Sequence, residues 1–134
     1  MNPPQVLIER SALEALCDPN SEHHAAVARA YLALVEQFEE DQLLLVAVGD
    51  HLRPHRQWNE LVHRGPLAAI DTLHVGHQHR RVARRMTAAP DFESALTLVM
   101  CQRHNVAHML TLDPHFTNSD LDVRLVGDHD DAGV

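Results

Sequence analysis

The stretch from Asp91 to Phe116, DFESALTLVMCQRHNVAHMLTLDPHF, limits the fold more than any other part of the chain. Phe92, Ala95, Leu96, Val99 and Met100 recur at i, i+3, i+4, i+7 and i+8, which is one face of an amphipathic helix. Asp91 is placed to cap it, because a short acceptor just before the first turn satisfies an amide that has no intrahelical partner. Asn105 tolerates the left-handed backbone and reads as the stop. Met109, Leu110, Thr111 and Leu112 then form a short, mostly apolar run, as in a strand of a parallel sheet covered on both faces. Asp113-Pro114 ends it, with a carboxylate at the carboxyl end of the strand, where open α/β sheets bind ligands.

The rest of the chain repeats this alternation. Val6–Ile8 is a short apolar strand with Glu9 at its end, and Ser11 to Leu16 opens a helix. Asp18-Pro19-Asn20-Ser21 breaks that helix, and Asn20 or Ser21 can cap the next one. Val27, Ala30, Tyr31, Leu34, Val35 and Phe38 give it a regular helical stripe. Leu43–Val48 predicts a second buried strand that ends at Gly49-Asp50. Pro54 suits the first turn of a further helix, with Trp58, Leu61 and Val62 as its apolar face and Gly65-Pro66 as its stop. Leu67–Ile70 predicts a third strand with Asp71 at its end. Leu73 to Met86 reads as a helix whose inner face is Val75, Val82, Ala83 and Met86. Val123–Val126 reads as a last edge strand.

Strands alternating with helices predict an α/β three-layer sandwich around a central parallel sheet of about four to five strands. With 134 residues, 45% of them hydrophobic, the chain suits one domain over residues 1–127. Residues 128–134 are expected to form an acidic, disordered tail. No apolar run approaches the roughly 18 residues a membrane span needs, and no secretory leader is visible. Cys17 and Cys101 have no metal or redox spacing and read as reduced core thiols. Together these features predict a cytoplasmic protein with no membrane partner.

The formal net charge of −8 sets the whole molecule against nucleic acid, but the charge is uneven. All 11 basic residues are arginine, and Arg80, Arg81, Arg84 and Arg85 cluster in HRRVARR. Arginine forks match phosphate oxygens, so this cluster is a candidate RNA-binding surface. Codon usage alone would also produce arginine without lysine. The 12 histidines include His51 and His55, spaced four apart, and the pair His74 and His77, followed by His79. They match no zinc motif.

Glu9, Asp50, Asp71 and Asp113 all follow predicted strands. In a parallel sheet they would rim one edge. Clustered carboxylates hold Mg²⁺ or Mn²⁺, and such ions can activate water for phosphodiester hydrolysis. Taken singly, each acid also suits a turn or a helix cap.

On these residues the chain resembles the PIN domain family. VLIERSALEAL is similar to the family's opening: an apolar strand, an acid, small hydroxyl residues and an apolar helix. The run ending Thr111-Leu112-Asp113-Pro114-His115-Phe116 is similar to its close. The likeness is greatest to the small bacterial VapC type, the toxins of toxin–antitoxin pairs. It implies a Mg²⁺- or Mn²⁺-dependent endoribonuclease, an antitoxin-like protein partner and a homodimer. It assigns Glu9 and Asp113 to catalysis and metal binding, with Ser11, Ser94 and Thr111 in support. The departures are specific. Glu9 stands where the family has Asp, Pro54 falls near the family's second acid, and Ser94 falls at the third. Asp50, Glu93 and Asp91 are the nearby carboxylates that could be recruited as metal ligands. The resulting expectation is an incomplete acid set on a nuclease fold, serving as a weakly active or inactive RNA- or protein-binding regulator. The alternative is a divergent metal-dependent endoribonuclease toxin.

Overall fold

The computed structural model describes residues 3–56, 66–86 and 89–126. Five strands, β1 (Gln5–Ile8), β2 (Leu44–Val48), β3 (Ile70–Leu73), β4 (His108–Thr111) and β5 (Asp122–Leu125), form one sheet in the order β3-β2-β1-β4-β5. Every pairing is parallel. The helices are α1 (Arg10–Cys17), α2 (His24–Glu39), α3 (Gly49–Arg56), α4 (His77–Arg85) and α5 (Phe92–Arg103), with 3-10 turns at Pro66–Ala69 and Pro114–Asn118.

Alternation along the strands explains the three layers. Successive side chains of a strand point to opposite faces. Val6 and Ile8 of β1, Leu45 and Ala47 of β2 and Leu110 of β4 join Leu13, Val27, Tyr31, Leu34 and Leu52 in a core beneath α1, α2 and α3. Leu7, Val46, Val48 and Met109 join Leu96, Val99 and Met100 of α5 and Ala83 of α4 in a second core. A strand buried on both faces has no polar side to show, hence the continuous apolar runs in the sequence. No helix among the described residues is long and apolar enough to cross a membrane.

The local signals around α5 hold. Asp91 is its N-cap and accepts from the Ser94 amide at 2.7 Å, while Asn105 has φ 55°. Phe116 is 2% exposed and closes the core after β4.

Four expectations are corrected. The run from Leu67 to Ala69 is a 3-10 turn, and β3 begins only at Ile70, so Asp71 lies inside the strand opposite Val46 rather than at its end. Burial explains the shift: Leu67, Ile70 and Leu73 are inward while Asp71 is exposed. The helix expected from Leu73 starts at His77, because Leu73 pairs with Val48 in the sheet. Only Ala83 of α4 is buried, and Val82 is 36% exposed. Pro54 lies inside α3, whose first residue is Gly49 directly after β2. A Cβ on Gly49 would meet the Leu73 carbonyl oxygen and Thr72 Cγ2, each at 3.1 Å, so this sharp exit favours glycine. Neither Asn20 nor Ser21 caps α2. The Ser21 hydroxyl accepts from the His23 amide in the preceding turn. The helix face built on Trp58, Leu61 and Val62 and the tail 128–134 lie outside the described residues.

Candidate functional site

Strand order locates the crevice. The chain lays β2 and β3 on one side of β1 and later places β4 and β5 on the other. The reversal falls between β1 and β4, and ligands of open α/β sheets bind outside the carboxyl ends of the strands at such a switch point. Glu9 and Asp113 leave the sheet there.

Glu9 is 4% exposed. Its amide donates to the Leu110 carbonyl at 3.0 Å, which keeps it in line with β4. Its Oε1 accepts from the Ser11 amide at 3.0 Å, from the Ser11 hydroxyl, and from the Thr111 hydroxyl at 2.6 Å. Those hydroxyls accept in turn: Ser11 Oγ from the Leu112 amide at 3.0 Å, and Thr111 Oγ1 from the Asp113 amide at 2.9 Å. One carboxylate thus stitches the loop leaving β1 to the loop leaving β4. Asp113 caps the following 3-10 turn. Its Oδ1 accepts from the His115 amide at 2.9 Å and lies 2.8 Å from His115 Nδ1.

On the β2 side one acid meets a cation and another meets a histidine. Asp50 lies in the first turn of α3. Arg80 Nη2 reaches both of its carboxylate oxygens, at 3.2 and 3.0 Å, and Arg53 approaches at 3.5 Å. The next residue, His51, is buried, and its Nε2 lies 2.6 Å from Glu93 Oε2. Leu52 of α3 packs in one core and α5 in the other, so this pair reaches over the edge of the sheet. Sequence reasoning missed both contacts. Asp50 and Arg80 are 30 residues apart and His51 and Glu93 are 42 apart, and no local pattern links them.

Asp91 serves the α5 amides. The hydrogen bond from the Ser94 backbone holds its carboxyl below the usual Asp range. Ser94 is buried beneath it. Among the described residues, no three His, Cys, Asp or Glu side chains converge closely enough to hold a metal ion. Mg²⁺ asks for near-octahedral oxygen coordination. The described acids, as arranged, do not supply that shell. The histidines take other roles too: His79 Nδ1 accepts from the Gly76 amide at 2.9 Å.

The arginine cluster divides. Arg80 turns inward to Asp50, while Arg81, Arg84 and Arg85 are exposed on α4. Arg84 stacks toward the Phe92 ring, 5.8 Å from its centroid. None of these three forms an ion pair among the described residues. The cysteines are core thiols: burial pushes Cys101 up to about 12 and raises Cys17.

A five-stranded parallel sheet in this order, with helices on both faces and acids following its central strands, is a PIN-like fold. The structure is similar to that of Mycobacterium tuberculosis VapC20, a toxin that cleaves the sarcin-ricin loop. The TM-score is 0.59, covering 89% of this chain and 98% of that one, at 14% sequence identity. No protein-family model matches the chain, and no curated protein matches it in sequence.

Proposed function

We propose that this chain is an RNA-binding regulatory domain on a PIN-like scaffold, with little or no nuclease activity of its own. The observation that carries the reading is the pairing of Asp50 with Arg80 and of Glu93 with His51. Carboxylates gathered at a sheet edge need positive charge nearby. Here Asp50 draws it from Arg80, and Glu93 is held in a hydrogen bond with His51, so neither carboxylate is left open for a divalent ion. The exposed Arg81, Arg84 and Arg85 then supply a phosphate-binding face beside that edge. Arginine at such a face binds RNA with an affinity that falls as salt rises.

The second reading, a divergent Mg²⁺- or Mn²⁺-dependent endoribonuclease toxin, is favoured by one feature. The hydroxyl-bonded Glu9 joined through Thr111 to Asp113 keeps two acids at the switch point. On that reading the chain shares with VapC20 an RNA substrate, and it would pair with an antitoxin-like protein and form a homodimer.

The test incubates the purified protein with structured and unstructured RNA in Mg²⁺ and in Mn²⁺, with Asp113→Ala as control. The expected outcome is no cleavage and salt-dependent binding. Cleavage that disappears in Asp113→Ala selects the toxin reading. Absence of binding at low salt removes the RNA reading and leaves a protein partner.

A further inference from the structure

Beside Asp113, between the start of α5 and the 3-10 turn Pro114–Asn118, lies a cavity of about 220 Å³. Pro90, Leu98 and Phe116 supply its apolar wall, and His115, Asn118 and Ser94 bring polar atoms to it. The volume is below the roughly 300 Å³ at which sites for drug-sized ligands begin. It suits one small planar ring system better than a whole cofactor.

Three features narrow the occupant. The His115 imidazole is 63% exposed and bonded to Asp113 through Nδ1, which leaves its ring face open for stacking. The exposed Asn118 amide has no hydrogen-bond partner among the described residues, so it offers a donor and an acceptor together. An amide of that kind matches a base edge. Arg84 stacks toward Phe92, two residues from Pro90 in the cavity wall, which places one arginine of α4 near the start of α5, where the cavity lies. An aromatic surface, a hydrogen-bonding amide and an adjoining phosphate-binding row are how unpaired RNA bases are held.

We propose that this cavity seats one unpaired nucleobase of an RNA strand whose phosphates run along Arg81, Arg84 and Arg85. The inference rests on the RNA-binding reading and gives it a site. Stacking on His115 and pairing with Asn118 select for a single-stranded segment, since a base inside a duplex has neither its face nor its edge free. The cavity shares His115 with the carboxyl edge, so a base seated there brings the strand to Asp113.

The experiment measures binding of the full chain to a fluorescent single-stranded oligoribonucleotide and to the same oligomer with abasic positions, which keeps the phosphates and removes the rings. The base-bearing strand is expected to bind about tenfold more tightly. Asn118→Ala, an exposed change that leaves the core intact, is expected to erase most of that difference without altering affinity for the abasic strand. His115→Ala is the second variant and should do the same. Equal affinity for both strands, each still salt-dependent, would overturn the base site and leave the arginine face standing. A base preference unchanged in both variants would move it elsewhere and overturn this assignment. Failure of both strands to bind would remove the RNA reading itself and the site with it. A free nucleoside monophosphate binding as tightly as the oligomer would overturn the assignment to a strand.

Discussion

On the β1–β4 side of the carboxyl edge, Glu9 is buried and surrounded by donors that carry no charge: an amide and the hydroxyls of Ser11 and Thr111. On the β2 side, Asp50 and Glu93 are partly exposed and face Arg80 and His51. Both arrangements satisfy carboxylates, but by different physics. The first depends on exact donor placement in a dry site, where an unmet polar group is costly. The second depends, at Asp50, on Coulomb attraction to Arg80 in a wetter place, where water and salt screen much of it. The first holds two strands in register and should be rigid. The second joins helices over the edge of the sheet and should be replaceable.

The contrast breaks most sharply at Glu9. Glu9→Ala strands the Ser11 and Thr111 hydroxyls in a buried site and is expected to destabilise the fold by about 3 kcal/mol in urea unfolding. A loss under about 1 kcal/mol would mean that the three donors do not depend on Glu9. His51→Ala comes next, at about 2 kcal/mol, because it empties a buried position and removes a charge-assisted hydrogen bond to Glu93. If it costs as much as Glu9→Ala, the two sides of the edge are not as different as their donors indicate.

Asp91→Ala is expected to cost about 1 kcal/mol, the usual loss for a helix cap. It also has a pH signature. The folded carboxyl is held below its ordinary value, so its stabilisation is fully present above the unfolded Asp pKa, about 3.9. It is lost as pH falls through the lower folded value. The stability gap between wild type and Asp91→Ala should therefore be constant near pH 6, begin to narrow below about pH 4 and close below the folded value; a gap that does not narrow there removes the cap carboxylate as its cause. The smallest effect is expected for Asp50 with Arg80. A double-mutant cycle with Asp50→Asn and Arg80→Gln should give a coupling of about 0.5 kcal/mol that shrinks in high salt. A larger, salt-insensitive coupling would place that pair with Glu9 instead.

Much of the fold was legible because its signals are local. The α5 stripe, the Asp91 cap and the left-handed Asn105 depend on residues a few positions apart, and all three appear in the structure. The error at β3 has the same root. Leu67–Ile70 is a run of small and apolar residues with no period, and a run of that length does not tell a strand from a tight turn. Pairing with β2 moved the strand onto Asp71-Thr72-Leu73. In the site, Glu9 and Asp113 could be named in advance because they follow strands, while Ser11 and Thr111 were named only through the resemblance to PIN domains. The arginine cluster was visible as a cluster, but the inward turn of Arg80 was not.

The sequence by itself determined the alternation of strands and helices, most of the apolar residues that pack in the core, and that Glu9 and Asp113 follow strands. Those follow from periodicities of two and 3.6 residues and from the direction of parallel strands. Only the tertiary structure decided that Arg80 meets Asp50, that His51 reaches Glu93, and that Asn118 and His115 share a cavity with Leu98. Hydrogen bonds and ion pairs depend on separations of a few ångströms between side chains far apart in the chain. Those separations exist only once the sheet has brought its loops to one edge.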